Sequence, residues 1–379
     1  MAALTVPVLA PAAAEATGHP AHLVGVFIGI IYVGAMASSL VSGSLIGWLG
    51  PIRISQICLI LCAAGLSLLT FGGLLHIAAG AVLIGFGYGP VTPASSHILA
   101  RTTPAHRIGL TFSLKQTGVP LGSAMAGVLV PPAVVAWRWE GAALGVAGFC
   151  LAMALVSESV RRPLDADRGA SAKYGLSPAR LFAPFRLIFS LPALRDIALC
   201  SFFFGAVQLC LTTYLVIWLT RDYGMDLLSA GLMMALAQGG GIGGRLLWGW
   251  LADRLGAPRV VLSGLGVVIG LCMLAFALVG SSWPVPVVAA IILLAGATAI
   301  GWNGVYLAEV ARLSPAGLAS TVTGGALFFT YFGVVAGPPS FAAILSATGD
   351  FSESFLTIGL CILAVGLYLG LTRTRPIRK

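Results

Sequence analysis

Charge is what this sequence has least of. Only 9% of its 379 residues are Asp, Glu, Lys or Arg, and 58% are hydrophobic. A soluble domain carries about 25% charged residues, so too little polar surface is available here to face water on all sides. No CxxC pair occurs, and the seven cysteines (Cys58, Cys62, Cys150, Cys200, Cys210, Cys272 and Cys361) fall mostly inside apolar segments. Histidines at zinc-ligand spacing are also missing, which leaves neither a disulfide framework nor a metal site to expect, and no cofactor is called for. The net charge of +9 is basic. Yet the basic residues sit between apolar runs and form no polar face of the kind nucleic-acid binding needs. A membrane enzyme would need a convergent nucleophile–base or metal cluster, and His76, His97 and His106 are not so arranged.

The apolar runs that remain are the main content. They cover approximately 23–48, 54–74, 76–99, 108–131, 139–157, 194–219, 227–252, 259–280, 285–311, 317–346 and 353–372. Each is near the ~20 residues that cross a bilayer as a helix, so the expected fold is an all-α membrane protein with eleven full spans. Ahead of them, Leu4–Ala14 is apolar but too short to span. It lacks the basic start of a signal peptide and reads as the remnant of a truncated first helix. The polar, basic, proline-containing stretch from 158 to 192 is a central linker that ends in a short interfacial helix.

Basic residues fix the orientation. If the connection near Gly50 faces the cytoplasm, so do Arg53, Arg101, Arg107, the linker basics through Arg195, Arg254, Arg259, Arg312 and the tail from Arg373 to Lys379. Only Arg138 and Arg221 fall on the other side, while Lys115 and Arg245 lie within spans. The positive-inside rule thus places the linker and the C-terminus in the cytoplasm.

One pattern occurs twice. Gly249-Trp-Leu-Ala-Asp253-Arg254-Leu-Gly256-Ala-Pro-Arg259 stands at a cytoplasmic helix–loop–helix junction. Gly43-Ser-Leu-Ile-Gly47-Trp48-Leu-Gly50-Pro-Ile-Arg53 shares its glycines at the first and eighth positions and its arginine at the eleventh. Internal repeats of this kind mark many transporter folds, with the site between the repeats. The later copy resembles the GxxxDRxGxxR signature of the major facilitator superfamily, and the likeness extends over the chain: two halves, a basic central loop, and a signature after the second helix of each half. The resemblance implies two six-helix bundles related by a pseudo-two-fold axis. The expected division is residues 1–157, the linker 158–192, and 193–379. It implies that Gly249, Asp253, Arg254, Gly256 and Arg259 form a gate, its carboxylate and cations clamping neighbouring helix ends. A helix N-terminus favours an anion such as Asp253 on physical grounds alone. With Gly47 and Trp48 in place of Asp and Arg, the first-half clamp should be weak or absent.

Two intramembrane cations stand out. Lys115, in Ser113-Leu-Lys115-Gln116-Thr117-Gly118-Val-Pro120, lies about 12 Å inward from Arg107 at the rise of a helix, and Arg245 lies about 12 Å inward from Asp253. Intramembrane charge is expensive and points to function, although a lysine near a helix end also snorkels to the interface. Glu309 has Arg312 at i+3 as its expected partner, which leaves the substrate as counter-ion for the two cations. Monocarboxylate transporters and oxalate–formate exchangers of the same superfamily look similar at Arg245: an arginine ahead of the signature that contacts a substrate carboxylate. The alternative role for Arg245 is to tie its helix to the gate. A guanidinium fork suits a carboxylate because it bonds both oxygens. Gly109, Gly118, Gly122 and Gly127 partly match the superfamily's antiporter signature, with Ser123 and Ala126 departing from it; close helix packing explains them equally.

Further lining candidates are Tyr88, His97, Gln116, Gln208, Tyr214, Gln238, Trp302, Asn303 and Tyr331, each a polar tip in an apolar span. An interhelical hydrogen bond is the plainer reading for each. Glycines flank Trp302-Asn303 and loosen that helix, while Pro90, Pro93 and Pro120 are expected to kink theirs. The reading is a multi-pass, monomeric secondary transporter of a small organic anion, in a bacterial inner membrane, binding lipid and substrate but no nucleic acid. Efflux of drugs or cations, and an inactive truncated paralogue, remain the rival readings.

Overall fold

Backbone groups in hydrocarbon must bond within the chain, which leaves helices or closed barrels as spanning structures. A computed structural model describes residues 23–166, 168, 182–280 and 282–372, together with Ala2, Thr5 and Leu9, and among these residues the regular structure is helical. The helices are α1 (Leu23–Leu49), α2 (Pro51–Leu69), α3 (Leu74–Tyr88), α4 (Val91–Thr102), α5 (Ile108–Gln116), α6 (Gly118–Val156), α7 (Glu158–Leu164), α8 (Ala183–Ser190), α9 (Pro192–Arg221), α10 (Leu227–Leu255), α11 (Pro258–Leu278), α12 (Val285–Ala299), α13 (Asn303–Leu313), α14 (Ala319–Thr348) and α15 (Phe351–Leu371).

Helix boundaries follow local chemistry. Proline opens α2, α9 and α11, where its missing N–H costs nothing. Asp226 caps α10 by accepting from Ser229 N at 3.0 Å, and Asp350 caps α15 by accepting from Ser352 N at 2.8 Å. Gly256 ends α10 in the left-handed conformation, φ 60°, which glycine adopts without a Cβ penalty.

Among the described residues, nine helical stretches are long and apolar enough to cross a membrane. Two features separate this number from the eleven expected. Ala105–Val156 is one stretch of 52 residues, interrupted by non-helical backbone at Trp137 and Arg138, where Arg138 has φ 59°. The gap expected between the spans 108–131 and 139–157 therefore narrows to two non-helical residues. The glycine-rich α10, with Arg245, Asp253 and Arg254, is not among the nine. The stretches expected as 76–99 and 285–311 are each broken: α3 ends before Gly89-Pro90, and α12 ends before Ile300-Gly301-Trp302. Of the apolar stretch Leu4–Ala14, Thr5 and Leu9 are described, both helical and buried; its other residues, residues 167 and 169–181 of the expected linker, and the basic tail from 373 lie outside the described residues.

Contacts divide the chain into two compact units. One holds Met1–Arg101, Gly118–Leu187 and Ser314–Phe328; the other holds Thr102–Thr117, Ile188–Leu313 and Phe329–Lys379. Each unit thus includes a segment from the opposite half of the sequence. In the first, Leu9, Phe27, Ile31, Leu66, Ile84, Trp139 and Val146 belong to one buried apolar cluster. The α14 segment in this unit meets α1 at very short range: a Cβ on Gly43 would lie 2.6 Å from Thr321 Cα. Small residues let backbones approach in this way.

The linker's first helix is fastened to the same unit. Asp165, 2% exposed, accepts from Ile52 N at 2.7 Å and Arg53 N at 3.2 Å, capping α2. Glu158 accepts from Gln56 Nε2 at 3.0 Å and Arg161 Nε at 2.6 Å. These bonds hold its carboxyl below the usual range. Arg101 Nη2 donates to Leu164 O at 3.0 Å. Gly50 sits against Asp165 with φ 93°, and a Cβ there would overlap the carboxylate. Gly50→Ala is expected to cost about 2–3 kcal/mol, combining left-handed strain with a displaced cap. Thermal unfolding in detergent checks this, with Gly29→Ala as control, since a Cβ at Gly29 meets nothing within 4 Å.

The second unit is built around α10. It pairs with α12 through small residues: a Cβ on Gly240 would lie 2.6 Å from Leu293 O, and one on Gly241 2.6 Å from Ile300 Cγ2. α11 packs along α15 through Gly266 and Gly366. An aromatic cluster of Trp218, Phe276, Phe341, Phe351 and Phe355 joins α9, α11, α14 and α15, with Trp218 and Phe276 centroids 5.2 Å apart.

Candidate functional site

Pro120 explains the first feature of the site. The carbonyl of Gln116 would ordinarily accept from the N–H four residues on, and proline has none. Helix α5 ends at Gln116, and α6 begins two residues later. The orphaned carbonyl is taken by Arg245 of α10, whose Nη1 donates to Gln116 O in a short hydrogen bond. The Nε of Arg245 donates to Ile300 O at 3.1 Å, and Ile300 is the residue at which α12 stops. One guanidinium, 2% exposed, therefore serves the C-terminal ends of two broken helices. Helix C-termini carry partial negative charge and favour a cation. This revises the expectation that only a substrate neutralises Arg245: backbone dipoles contribute too.

Lys115 is drawn to the same residue. Its Nζ donates to Gln116 Oε1 at 2.8 Å, and Gln116 is 7% exposed. The sequence pair Lys115 and Arg245 is thus brought together, with Gln116 as the shared partner. α5 packs on both α10 and α13. The closest approach is at Ser113, where a Cβ on Gly249 or on Gly304 would lie 2.7 Å from Ser113 Cβ. The buried Ser113 hydroxyl has no hydrogen-bond partner among the described residues.

A second polar group stands at the α12–α13 break. Trp302 Nε1 donates to Gln208 Oε1 at 3.0 Å, and Asn303 Nδ2 donates to the same oxygen at 3.1 Å. Indole N–H is only a donor, so the Gln208 acceptor atom is settled and its amide NH2 points the other way. Beneath this pair, Tyr306 OH and Thr330 Oγ1 both bond Ser201 Oγ, at 3.1 and 2.9 Å. Tyr331 is buried in the same unit. Tyr214 is committed to structure: its hydroxyl donates to Pro338 O at 2.9 Å, and its ring stacks on Phe341 at 4.4 Å. In the other unit, Tyr88 meets Tyr32 edge-on at 6.0 Å.

The signature residues take distinct positions. Asp253 accepts from Gly109 N at 2.7 Å and Leu110 N at 2.8 Å, amides in the first turn of α5. Gly109 is required there, because a Cβ would lie 2.8 Å from Asp253 Oδ1. Arg254 stacks over the Trp250 ring at 5.3 Å. Arg259 bonds Asp196 Oδ2 at 3.3 Å, Thr372 Oγ1 at 2.6 Å and Leu369 O at 3.2 Å, tying α11 to α9 and α15. Glu309 and Arg312 form a two-pronged pair at 2.5 and 2.6 Å. In the first-half copy, Gly47 and Trp48 supply no carboxylate, and Asp165 from the linker caps the adjoining helix instead.

An apolar multi-helix chain with a carboxylate seated on a helix N-terminus at its repeated glycine signature has a close counterpart among known proteins. The Major Facilitator Superfamily profile matches residues 1–338. The chain belongs to that superfamily. It is a transmembrane transporter of a small solute. A gentisate transporter of Corynebacterium glutamicum is 24% identical over 93% of this chain and 78% of its own length. Human monocarboxylate transporter 11 is 31% identical over 80% of this chain and 64% of its own length, so the chain spans just under two thirds of that relative. A gallate transporter of Pseudomonas putida is 27% identical over 60% of this chain and 57% of its own length. Among solved structures, the fucose:proton symporter of E. coli superposes with a TM-score of 0.76 at 17% identity, over 98% of this chain and 97% of the other. The fold is therefore shared with a sugar symporter, and the sequence relatives include transporters named for gentisate, gallate and monocarboxylates as well as a probable nitrate/nitrite transporter of Mycobacterium tuberculosis. These proteins are transporters rather than enzymes.

Proposed function

We propose that this protein moves a small organic anion, a carboxylate, across a bacterial inner membrane by alternating access. The observation that carries the reading is the pairing of Lys115 and Arg245 on Gln116, two cations on one residue inside the membrane. Buried like charges repel strongly in a medium of low dielectric, and an anion that enters beside them relieves that repulsion. The names of the gentisate, gallate and monocarboxylate transporters support the same substrate class. Gln208, Trp302, Asn303 and Tyr331 would line the path in the second half and Tyr88 in the first. Asp253 and Arg254, with Gly249, Gly256 and Arg259 shaping their turn, hold one end state.

In this reading α10 and both arms of Ala105–Val156 span, giving eleven spans after the apolar stretch Leu4–Ala14. They form two six-helix bundles related by a pseudo-two-fold axis, with the linker and C-terminus cytoplasmic and the protein a monomer. Coupling is by exchange or by a proton that travels with the substrate.

The test is a thermal-shift screen of the purified chain with gentisate, gallate, lactate and tetraphenylphosphonium, followed by uptake into vesicles. At least one carboxylate is expected to raise the melting temperature and to be taken up. Stabilisation by the lipophilic cation alone would turn the reading toward efflux.

A further inference from the structure

We infer that Trp302 sets Gln208 and Asn303 as a pair that reads a hydroxyl group, so that the substrate carries a hydroxyl besides its carboxylate. The inference rests on the carboxylate reading for the charged group and adds a second group to it. The orientation of both amides follows from one indole. Trp302 is 1% exposed, and its ring packs against Phe204 at 5.0 Å and Tyr306 at 5.1 Å between centroids, which aims its N–H. An indole N–H only donates, so the Gln208 atom 3.0 Å away is the carbonyl Oε1. The Asn303 atom 3.1 Å from that same oxygen must then be the Nδ2 donor. Asn303 Nδ2 also reaches Ile300 O, a pure acceptor, at 3.5 Å. Gln208 is left with its NH2 and Asn303 with its Oδ1. Among the described residues neither atom has a hydrogen-bond partner, and neither is a buried orphan. Both residues are half-buried, so both atoms are open to a ligand.

Position gives the second reason. Gln208 lies near the middle of α9 (Pro192–Arg221), and Trp302-Asn303 stands at the break between α12 and α13, near the middle of the apolar stretch Val285–Leu313. Open polar atoms at this depth are costly against lipid. They suit a substrate site at the midplane beside a broken helix. Two N–H donors next to a carbonyl acceptor match a group that both donates and accepts. A hydroxyl does both, whereas an ionised carboxylate only accepts and would be repelled by Asn303 Oδ1. Because the two amides are bonded to each other, one small molecule reaches both.

Matched ligands test the pair: gentisate against benzoate, lactate against propionate, and hydroquinone, which carries hydroxyls without a carboxylate. Thermal-shift titration of the purified full-length protein gives an affinity for each. The wild type is expected to favour the hydroxy acid of at least one pair by about tenfold or more, the worth of one or two hydrogen bonds. Trp302→Phe keeps an aromatic ring and unlocks both amides. Gln208→Met, at a half-buried position, removes the donors and serves as a second variant should Trp302→Phe fail to fold. In either variant the preference within that pair should shrink to about twofold or less. Equal affinity within both pairs for the wild type, or a preference that survives in a folded variant, overturns the inference. Whether any of the acids binds decides the carboxylate reading separately. If hydroquinone binds as well as gentisate and benzoate does not bind, with the same dependence on Trp302 and Gln208, the hydroxyl pair stands and the carboxylate reading falls.

Discussion

Arg245→Ala is expected to abolish carboxylate uptake and to destabilise the protein at the same time. The guanidinium is the donor to Gln116 O and to Ile300 O, both at helix ends. Without it, each buried carbonyl loses a partner at about 1–3 kcal/mol, so a loss of about 2–6 kcal/mol is expected. Lys115→Ala removes a charge and a side-chain bond to Gln116, and leaves the two main-chain carbonyls held by Arg245 in place. Uptake should fall to background in that variant as well, with a much smaller change in melting temperature. Arg245→Lys keeps the charge without the planar fork that reaches two carbonyls, and should recover little of either property. Uptake into vesicles and unfolding in detergent, measured on all three proteins, separate charge from scaffolding. Wild-type uptake by both alanine variants would remove the anion site from consideration.

The second large effect concerns the clamp. Asp253 bonds two N–H groups at the start of α5 through both carboxylate oxygens. Replacing a capping carboxylate by alanine costs about 1–2 kcal/mol, and the favourable charge–dipole term is lost with it. A change of about 2 kcal/mol alters a two-state equilibrium about thirtyfold. Asp253→Ala should therefore favour the state in which α10 has left α5. Amide hydrogen exchange at Gly109 and Leu110 should quicken at least tenfold and transport should fall, with Asp253→Asn in between because it keeps one acceptor. Unchanged exchange at both amides would show that the carboxylate does not hold this end.

Much of this site is legible in the sequence, for reasons specific to each residue. Asp253, Gly256 and Arg259 stand in a spaced signature, and the spacing encodes a turn: Gly256 is glycine because its φ is 60°. The break at Ile300–Trp302 was signalled by the glycines around Trp302-Asn303. The Lys115 and Arg245 pair follows from the cost of charge in a span. The Gln116 bridge was also in reach, since a proline four residues after a polar residue leaves a carbonyl to be filled.

Other features have no local signal. Asp165 caps α2 across more than a hundred positions of sequence, and from a polar linker it reads as one solvated acid among several. Asp196 meets Arg259 only because α9 and α11 pack. The hydroxyl group of Ser201, Tyr306 and Thr330 is distributed over three helices. The boundary within Ala105–Val156 is also faint in sequence, since only Trp137 and Arg138 leave the helical conformation there, and the glycines of α10 admit α12 and Ser113 at short range.

The partners of Arg245 have a genetic consequence. The oxygens of Gln116 and Ile300 that accept from it are main-chain atoms, so the side chains at 116 and 300 can vary without touching those bonds. Substitution at either position leaves the acceptor where it was, and no change there can replace a missing guanidinium. Selection for revertants of an Arg245 variant should therefore return arginine itself, or changes elsewhere that rebuild the helix ends, rather than compensating pairs.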